Sequence, residues 1–145
     1  MSAHDPTLRH LPHGPDFRFL DRLIDLLPGI SGQAEYHVRG DEPFLAGHFP
    51  GEPLFPGVLL LEGAAQLAGV IAQSDPTRTP LSGLKLTAVR QAKILGTARP
   101  GETIIFRAAV SGRLDNLVQA TASAEVNGKV VLETVITLSG EIAAN

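Results

Sequence analysis

The chain contains no cysteine, which excludes disulfide bonds, thiolate catalysis and cysteine-ligated zinc sites. A basic stripe is also lacking: 12 lysine and arginine residues face 15 acidic residues, and the formal net charge is −3. Nucleic acid is therefore not an expected partner. The first residues carry neither the basic start nor the apolar stretch of a signal peptide. We expect a cytoplasmic protein, although the absence of cysteine does not prove an intracellular location.

Long apolar runs are rare, and the one present does not predict membrane insertion. Residues 54–72 are almost wholly apolar but include Glu62, Gln66 and several glycine and proline residues. A carboxylate at the centre of a bilayer costs about 3 kcal/mol on insertion scales. With 43% hydrophobic and 19% charged residues, the 145-residue chain is typical of one globular domain spanning residues 1–145. Residues 1–16 contain three prolines and predict an irregular N-terminal arm.

Residues 58–73 form the clearest predicted helix, with Pro56 suited to its first turn. Its polar residues Glu62, Gln66 and Gln73 fall within about 40° of one another around a helical wheel. All other helix positions are apolar or small. We expect a helix that is wrapped on nearly all sides, with one polar stripe facing a specific partner or ligand.

The rest of the chain is predicted to supply a sheet around this helix. Residues 30–38, 84–94, 102–111, 117–126 and 130–139 have the patterns of strands, and Asn127-Gly128 predicts a two-residue hairpin turn. Residues 20–27 fit either a helical turn or a strand. Residues 40–55 hold so many glycines and prolines that they predict a loop. The fold class expected is α+β, with an antiparallel sheet curled around one central helix.

The loop and the helix together carry a recognisable pattern, Gly47-His48-Phe49-Pro50-Gly51 followed by Pro53, Phe55-Pro56-Gly57-Val58, Glu62 and Gln66. It resembles the signature of bacterial 3-hydroxyacyl-(acyl carrier protein) dehydratases of the FabZ type, which are relatives of the FabA type. The resemblance is close over residues 11–73 and looser to about residue 139. It implies the hotdog fold and dehydration of 3-hydroxyacyl thioesters in fatty acid or related acyl-chain synthesis, without a metal or other cofactor.

The resemblance also implies roles for single residues. His48 is expected to be the base that removes the C2 proton, since an imidazole titrates near neutral pH. Glu62 is expected to be the acid, because a carboxyl group on an apolar helix loses hydration when charged and its protonated form is favoured. The N–H of Gly57 would polarise the thioester carbonyl, and Gln66 would orient the carboxyl group. Phe49 and Val58 are further expected substrate contacts.

Partners follow from the same resemblance. It implies a homodimer, with trimers of dimers as a common larger assembly, in which His48 of one subunit faces Glu62 of the other. The substrate carrier would be an acyl carrier protein, docked by Lys93, Arg90 and Arg99. This basic patch is thinner than is usual in the family, so a specialised carrier protein or a coenzyme A thioester stays open. Gly14-Pro15-Asp16 also departs from the family's usual Arg-Tyr-Pro.

Plainer interpretations of these residues, and two other functions, stay open. His48 is structural in many loops of this kind, Glu62 fits a paired core carboxylate, and Gln66 fits a buried amide. The rival functions are a hotdog acyl thioesterase and a non-catalytic acyl-binding partner subunit. A metal site at His4, Asp5, His10 and His13 is discounted, because these residues lack helical or hairpin spacing. Acyl chain length and isomerase activity are not determined by the sequence.

Overall fold

A computed structural model describes Leu8, Leu11, Gly14 and residues 17–45 and 51–142. Within these residues the chain forms one α-helix and six strands, with a short 3₁₀ helix before the α-helix. The strands are β1 (Arg22–Leu27), β2 (Ser31–His37), β3 (Ser82–Ile94), β4 (Thr103–Leu114), β5 (Leu117–Val126) and β6 (Lys129–Glu141). The helix α1 spans Gly57–Gln73, and the 3₁₀ helix spans Pro43–Leu45.

All six strands join one antiparallel sheet in the order β1-β2-β4-β5-β6-β3. Helix α1 packs against a single face of this sheet, where its contacts reach from β2 across β4, β5 and β6 to β3. The predicted α+β class, with an antiparallel sheet around a central helix, is confirmed. Strand β3 ends the sheet on one side, so one of its edges is not paired by any described strand.

Small residues let the sheet approach the helix closely. Along strand β5, buried side chains alternate with more exposed ones. The buried side chains are mostly alanines: Val118, Ala120, Ala122, Ala124 and Val126. On the helix, Gly63 lies directly under the ring of Phe106, and a Cβ at this position would collide with that ring. The shortness of these side chains is what allows a 17-residue helix to sit inside the curve of the sheet.

The sequence left residues 20–27 ambiguous, and the structure places a strand there. Strand β1 is hydrogen-bonded to β2 with one irregularity between Leu23 and Asp25. The helix begins at Gly57, one residue before the predicted start, and the predicted loop 40–55 includes the 3₁₀ turn. The Asn127-Gly128 hairpin is confirmed: both residues have positive φ, 52° and 79°, as a type I′ turn requires.

The described part of the predicted N-terminal arm packs on the core. Leu8 and Leu11 are buried, and the chain continues into the buried residues Phe19 and Leu20. These four side chains therefore belong to the same hydrophobic core as the helix. In the described ranges, no helix combines the length and the apolar character needed to cross a membrane.

Candidate active site

The polar stripe of α1 faces a pocket of about 280 Å³. Helix positions 62, 66, 69 and 73 recur at intervals of three or four residues, so they share one face and line the pocket together. The opposite wall comes from the start of β3 and the residue preceding it. The complete lining is Leu11, Glu62, Ala65, Gln66, Gly69, Gln73, Leu81, Gly83, Leu84, Lys85, Leu86 and Leu138.

Glu62 lies in the second turn of α1 and is partly buried where it lines the pocket. Its helix neighbours are apolar or small, and the residues that follow it from Gly63 to Ala68 are all buried. Glu62 thus lines the pocket from an otherwise apolar part of the helix. This is the placement expected for a proton donor or acceptor acting on a ligand in the pocket.

Gln66 and Gln73 each bind the backbone of a neighbouring segment. Gln66 is 2% exposed; its Nε2 donates to the carbonyl of Phe17 at 2.8 Å, and its Oε1 accepts from the N–H of Phe19 at 2.9 Å. Gln73 makes the same kind of pair with Leu81, donating to its carbonyl at 2.6 Å and accepting from its N–H at 2.9 Å. The two amides therefore hold the segments that border the pocket.

Replacing Gln66 by leucine should loosen the segment at residues 17–19. The variant keeps the volume but leaves the buried N–H of Phe19 without its acceptor, at a cost of about 1–3 kcal/mol. Amide hydrogen exchange at Phe19 should accelerate, and KM for an acyl thioester should rise more than kcat falls. If exchange at Phe19 were unchanged in Gln66→Leu, the bond would not contribute to the order of this segment.

The start of the helix lies beside the end of β3. Gly57 is the first helical residue, and a Cβ on it would meet the side chain of Ile94 at 3.0 Å. The N–H groups of the first helical turn have no acceptor within the helix, and Leu59 donates instead to the carbonyl of Pro56 at 2.9 Å. Val58 is 68% exposed. This end of α1 thus combines backbone donors, a positive helix dipole and an exposed apolar side chain.

The loop before the helix begins at a cluster of polar side chains in which Tyr36 and Glu42 are buried and Arg39 is exposed. The Glu42 carboxylate accepts hydrogen bonds from the Tyr36 hydroxyl at 2.6 Å and from the N–H groups of Gly40 at 2.7 Å and Arg39 at 3.1 Å. The Arg39 guanidinium lies 5.1 Å from the centre of the Tyr36 ring and donates to its hydroxyl at 3.2 Å. We call Tyr36, Arg39 and Glu42 the loop anchor.

Protonation in the loop anchor is set by burial and by these hydrogen bonds. Burial disfavours the charged form of Glu42, but the donors from Tyr36, Gly40 and Arg39 outweigh it and lower the pKa of this carboxyl group below its usual value. Burial and the hydrogen bond to Glu42 raise the pKa of Tyr36. Glu42 is therefore a carboxylate and Tyr36 a neutral hydroxyl donor near neutral pH.

Not every residue singled out from the sequence can be placed. His48 and Phe49 lie outside the described residues. Glu62 and Gln66 share the pocket, whereas Gly57 and Val58 lie at the helix start. The structure adds Gln73 to the pocket lining and Glu42 to the loop before the helix; neither had been assigned a role in the site. The polar stripe pointed to Gln73, and an acidic residue among glycines and prolines was the signal for Glu42.

The three basic residues expected to dock the carrier are all exposed. Arg90 and Lys93 lie on β3, and Arg99 lies in the following loop, where its N–H donates to Glu102 at 2.7 Å. Lys93 is directly opposite Glu133 on β6, and this neighbour weakens the positive potential around it. The patch is therefore accessible but only moderately basic.

Comparison with solved structures supports the fold. The chain resembles the dehydratase heterocomplex ApeI:P from Xenorhabdus doucetiae with a TM-score of 0.78 and 15% identity, covering 94% of this chain and 91% of that one. It also resembles an HP0420 homologue from Helicobacter felis with a TM-score of 0.67 and 10% identity, covering 99% and 93%. At these identities the likeness establishes the hotdog architecture alone, as expected from the sequence.

Sequence comparison establishes the family. The model of the FabA-like domain matches residues 11–135. The 3-hydroxyacyl-(acyl-carrier-protein) dehydratase FabZ of Campylobacter hominis is 38% identical over 128 residues, which are 87% of this chain and 88% of the relative. FabZ of Rhodopseudomonas palustris is also 38% identical, over 87% of this chain and 84% of the relative. The chain therefore belongs to the FabA-like family and groups within it with the FabZ-type dehydratases.

Proposed function

We propose that the protein dehydrates 3-hydroxyacyl thioesters to trans-2-enoyl thioesters in acyl-chain synthesis. The observation that carries this proposal is the position of Glu62, an acidic residue that lines a pocket from a largely apolar helix. It follows His48 by fourteen residues, in a chain that is 38% identical to a FabZ dehydratase. The chain therefore has the imidazole and the carboxyl group that the reaction needs as base and acid. The names of the relatives support an acyl carrier protein as the substrate carrier.

In the proposed mechanism one proton leaves C2 and one is given to the C3 hydroxyl. The imidazole of His48 takes the C2 proton, and the C2 electron pair forms the double bond as the C3–O bond breaks. Protonated Glu62 gives its proton to the departing hydroxyl, which leaves as water. The N–H of Gly57, at the positive end of the helix dipole, stabilises the charge that builds up on the thioester oxygen.

The exposed edge of β3 supports a homodimer. This 13-residue strand pairs on one side with β6, and along it every residue from Thr87 to Ile94 is exposed. Val89, Ile94 and the adjacent Leu95 are among the exposed apolar residues. A long exposed edge of this kind invites pairing with another strand. We propose that β3 of a second subunit pairs here, beside Gly57, and that His48 of one subunit serves the pocket of the other.

The carrier is proposed to approach from the helix start. Lys93 immediately precedes Ile94, whose side chain lies against Gly57, so this basic residue lies on the strand that borders the helix start, with its side chain on the opposite, outer face of the sheet. Arg90 and Arg99 extend the basic surface. An acidic acyl carrier protein fits this surface, and coenzyme A remains the alternative carrier. Larger assemblies and the cytoplasmic location stay predictions.

The proposed function is tested by following hydration of crotonyl thioesters on acyl carrier protein and on coenzyme A. We expect 3-hydroxybutyryl thioester from wild-type protein, with a higher kcat/KM for the carrier-protein substrate. Release of free thiol without a hydrated product would instead establish the thioesterase. Binding of the thioester with neither reaction would establish a non-catalytic acyl-binding subunit.

A further inference from the structure

The segment that contains His48 is held at both of its described ends. At the near end Leu45 is 3% exposed, and its N–H donates to the carbonyl of Glu42 at 3.0 Å. At the far end Phe55 is fully buried; its N–H donates to Ala98 at 2.8 Å and its carbonyl accepts from Thr97 at 2.8 Å. The described residues on either side of the His48 position, Leu45 and Phe55, are therefore both firmly attached to the core.

The two ends are joined by one group of aromatic rings. Phe19, Tyr36, Phe44 and Phe55, which we call the aromatic cluster, have ring centres 5.5–6.0 Å apart. Tyr36 belongs both to this cluster and to the loop anchor. Its ring packs 5.7 Å from Phe55 while its hydroxyl donates to Glu42. Tyr36 thus connects Glu42, which precedes the His48 segment, with Phe55, which follows it, beside the direct packing of Phe44 on Phe55 at 5.5 Å.

The loop anchor contains a carboxylate that is both buried and fully engaged in hydrogen bonds. Glu42 is only 7% exposed, and burying a carboxylate is costly unless it is well hydrogen-bonded. Its acceptor positions are used by one hydroxyl and two backbone N–H groups, which determine the course of residues 39–42. Asp21 faces the same group, accepting from the Arg39 guanidinium at 3.4 Å and from the N–H of His37 at 2.8 Å.

We propose that Tyr36 and Glu42 are positioning residues of the dehydratase, which hold the chain before His48 so that its imidazole keeps a productive geometry toward the substrate. The inference rests on the proposed function, because it assigns the reaction's base to His48. Glu42 precedes His48 by six residues and Leu45 precedes it by three. A displacement of about 1 Å in such a group can cost a hundredfold in rate.

The test uses Tyr36→Phe, which removes only the hydroxyl, and Glu42→Gln, which keeps the shape but removes the charge. Asp75→Asn is the matched control: Asp75 also accepts from a hydroxyl and a backbone N–H, both of Thr77, but follows the far end of α1. For each full-length variant we would measure kcat, KM, the melting temperature and the pH profile. The His48 imidazole signal would be followed by NMR and assigned by its loss in His48→Ala.

We expect kcat to fall about tenfold in Tyr36→Phe and about a hundredfold in Glu42→Gln, with KM within about twofold of wild type. The His48 signal and the limb of the pH profile that reports it should shift in both variants and stay unchanged in Asp75→Asn. A folded Tyr36→Phe with wild-type kcat and an unchanged His48 signal would overturn the proposal. A lower melting temperature with an unchanged His48 signal would also overturn it, since that outcome indicates stability alone.

Failure of the proposed function is recognised separately. If the wild-type protein forms no enoyl product and hydrates no crotonyl thioester, the dehydratase assignment is wrong. The His48 signal in Tyr36→Phe still reports whether the loop anchor positions this imidazole, because that measurement needs no substrate. Should Glu42→Gln not fold, Tyr36→Phe alone decides between positioning and stability.

Discussion

Glu62→Gln should lower kcat for dehydration about a thousandfold while leaving the fold intact. The amide has nearly the same shape but carries no proton that it can give to the leaving hydroxyl, and general acid catalysis contributes about 10²–10⁴-fold. Glu62 is partly buried at the pocket wall, so the replacement should not disturb core packing. Steady-state kinetics with a 3-hydroxyacyl thioester and a melting curve measure the two effects. Glu141→Gln, at the exposed end of β6, is the control.

His48→Ala should reduce the rate to a similar degree, and mixing the two variants tests whether the site is shared. If His48 of one subunit serves Glu62 of the other, a mixed dimer of the two inactive variants contains one intact site. Random exchange of subunits should then restore roughly a quarter of the wild-type activity. No recovery would place both residues in one subunit, and Glu62→Gln activity within tenfold of wild type would remove Glu62 from the mechanism.

Phe55→Ala should lower the free energy of unfolding by about 4 kcal/mol, a large loss for a single substitution. Phe55 is fully buried and packs against the rings of Phe19, Tyr36 and Phe44, so the truncation leaves a cavity in the middle of the aromatic cluster. For a chain of this length the melting temperature should fall by roughly 10 °C. Denaturant unfolding at one fixed protein concentration measures the loss.

Phe17→Ala is the matched control for that substitution. Phe17 also contacts Phe19, with ring centres 5.0 Å apart, but its side chain is 47% exposed. Much of its apolar surface is already in contact with water, so we expect a loss below about 1.5 kcal/mol. Equal losses in the two variants would show that the aromatic cluster is not a centre of stability.

Local patterns in the sequence were sufficient for the helix and for most of the sheet. Pro56 and the narrow polar stripe in an otherwise apolar run predicted residues 58–73 as a helix, and the structure has it at Gly57–Gln73. The Asn-Gly pair predicted its hairpin because few other residues tolerate two successive positive φ angles. The polar stripe on α1 was visible for the same reason, since a helix of known period places residues 62, 66 and 73 on one face.

Strand β1 shows the limit of this reasoning. Its six residues fit a helical turn or a strand equally well, and the decision came from the hydrogen bonds that it makes with β2. The order of the strands in the sheet could not be predicted from local patterns either. Strand β3 precedes β4 in the chain but lies at the far edge of the sheet, beside β6. Which strands pair depends on contacts between distant segments, and periodicity within a segment carries no information about them.

By itself the sequence determined the fold class, the buried helix with Glu62 on its polar stripe and, through its resemblance, the family. Only the tertiary structure decided the partners of the polar residues. Gln66 binds a segment 47–49 residues away, and Tyr36 of the loop anchor packs on Phe19 and Phe55, which come from two other segments of the chain. The physical reason is that side-chain character follows from residue type and local period, whereas a hydrogen-bond partner is chosen when the chain closes long loops and buries its core.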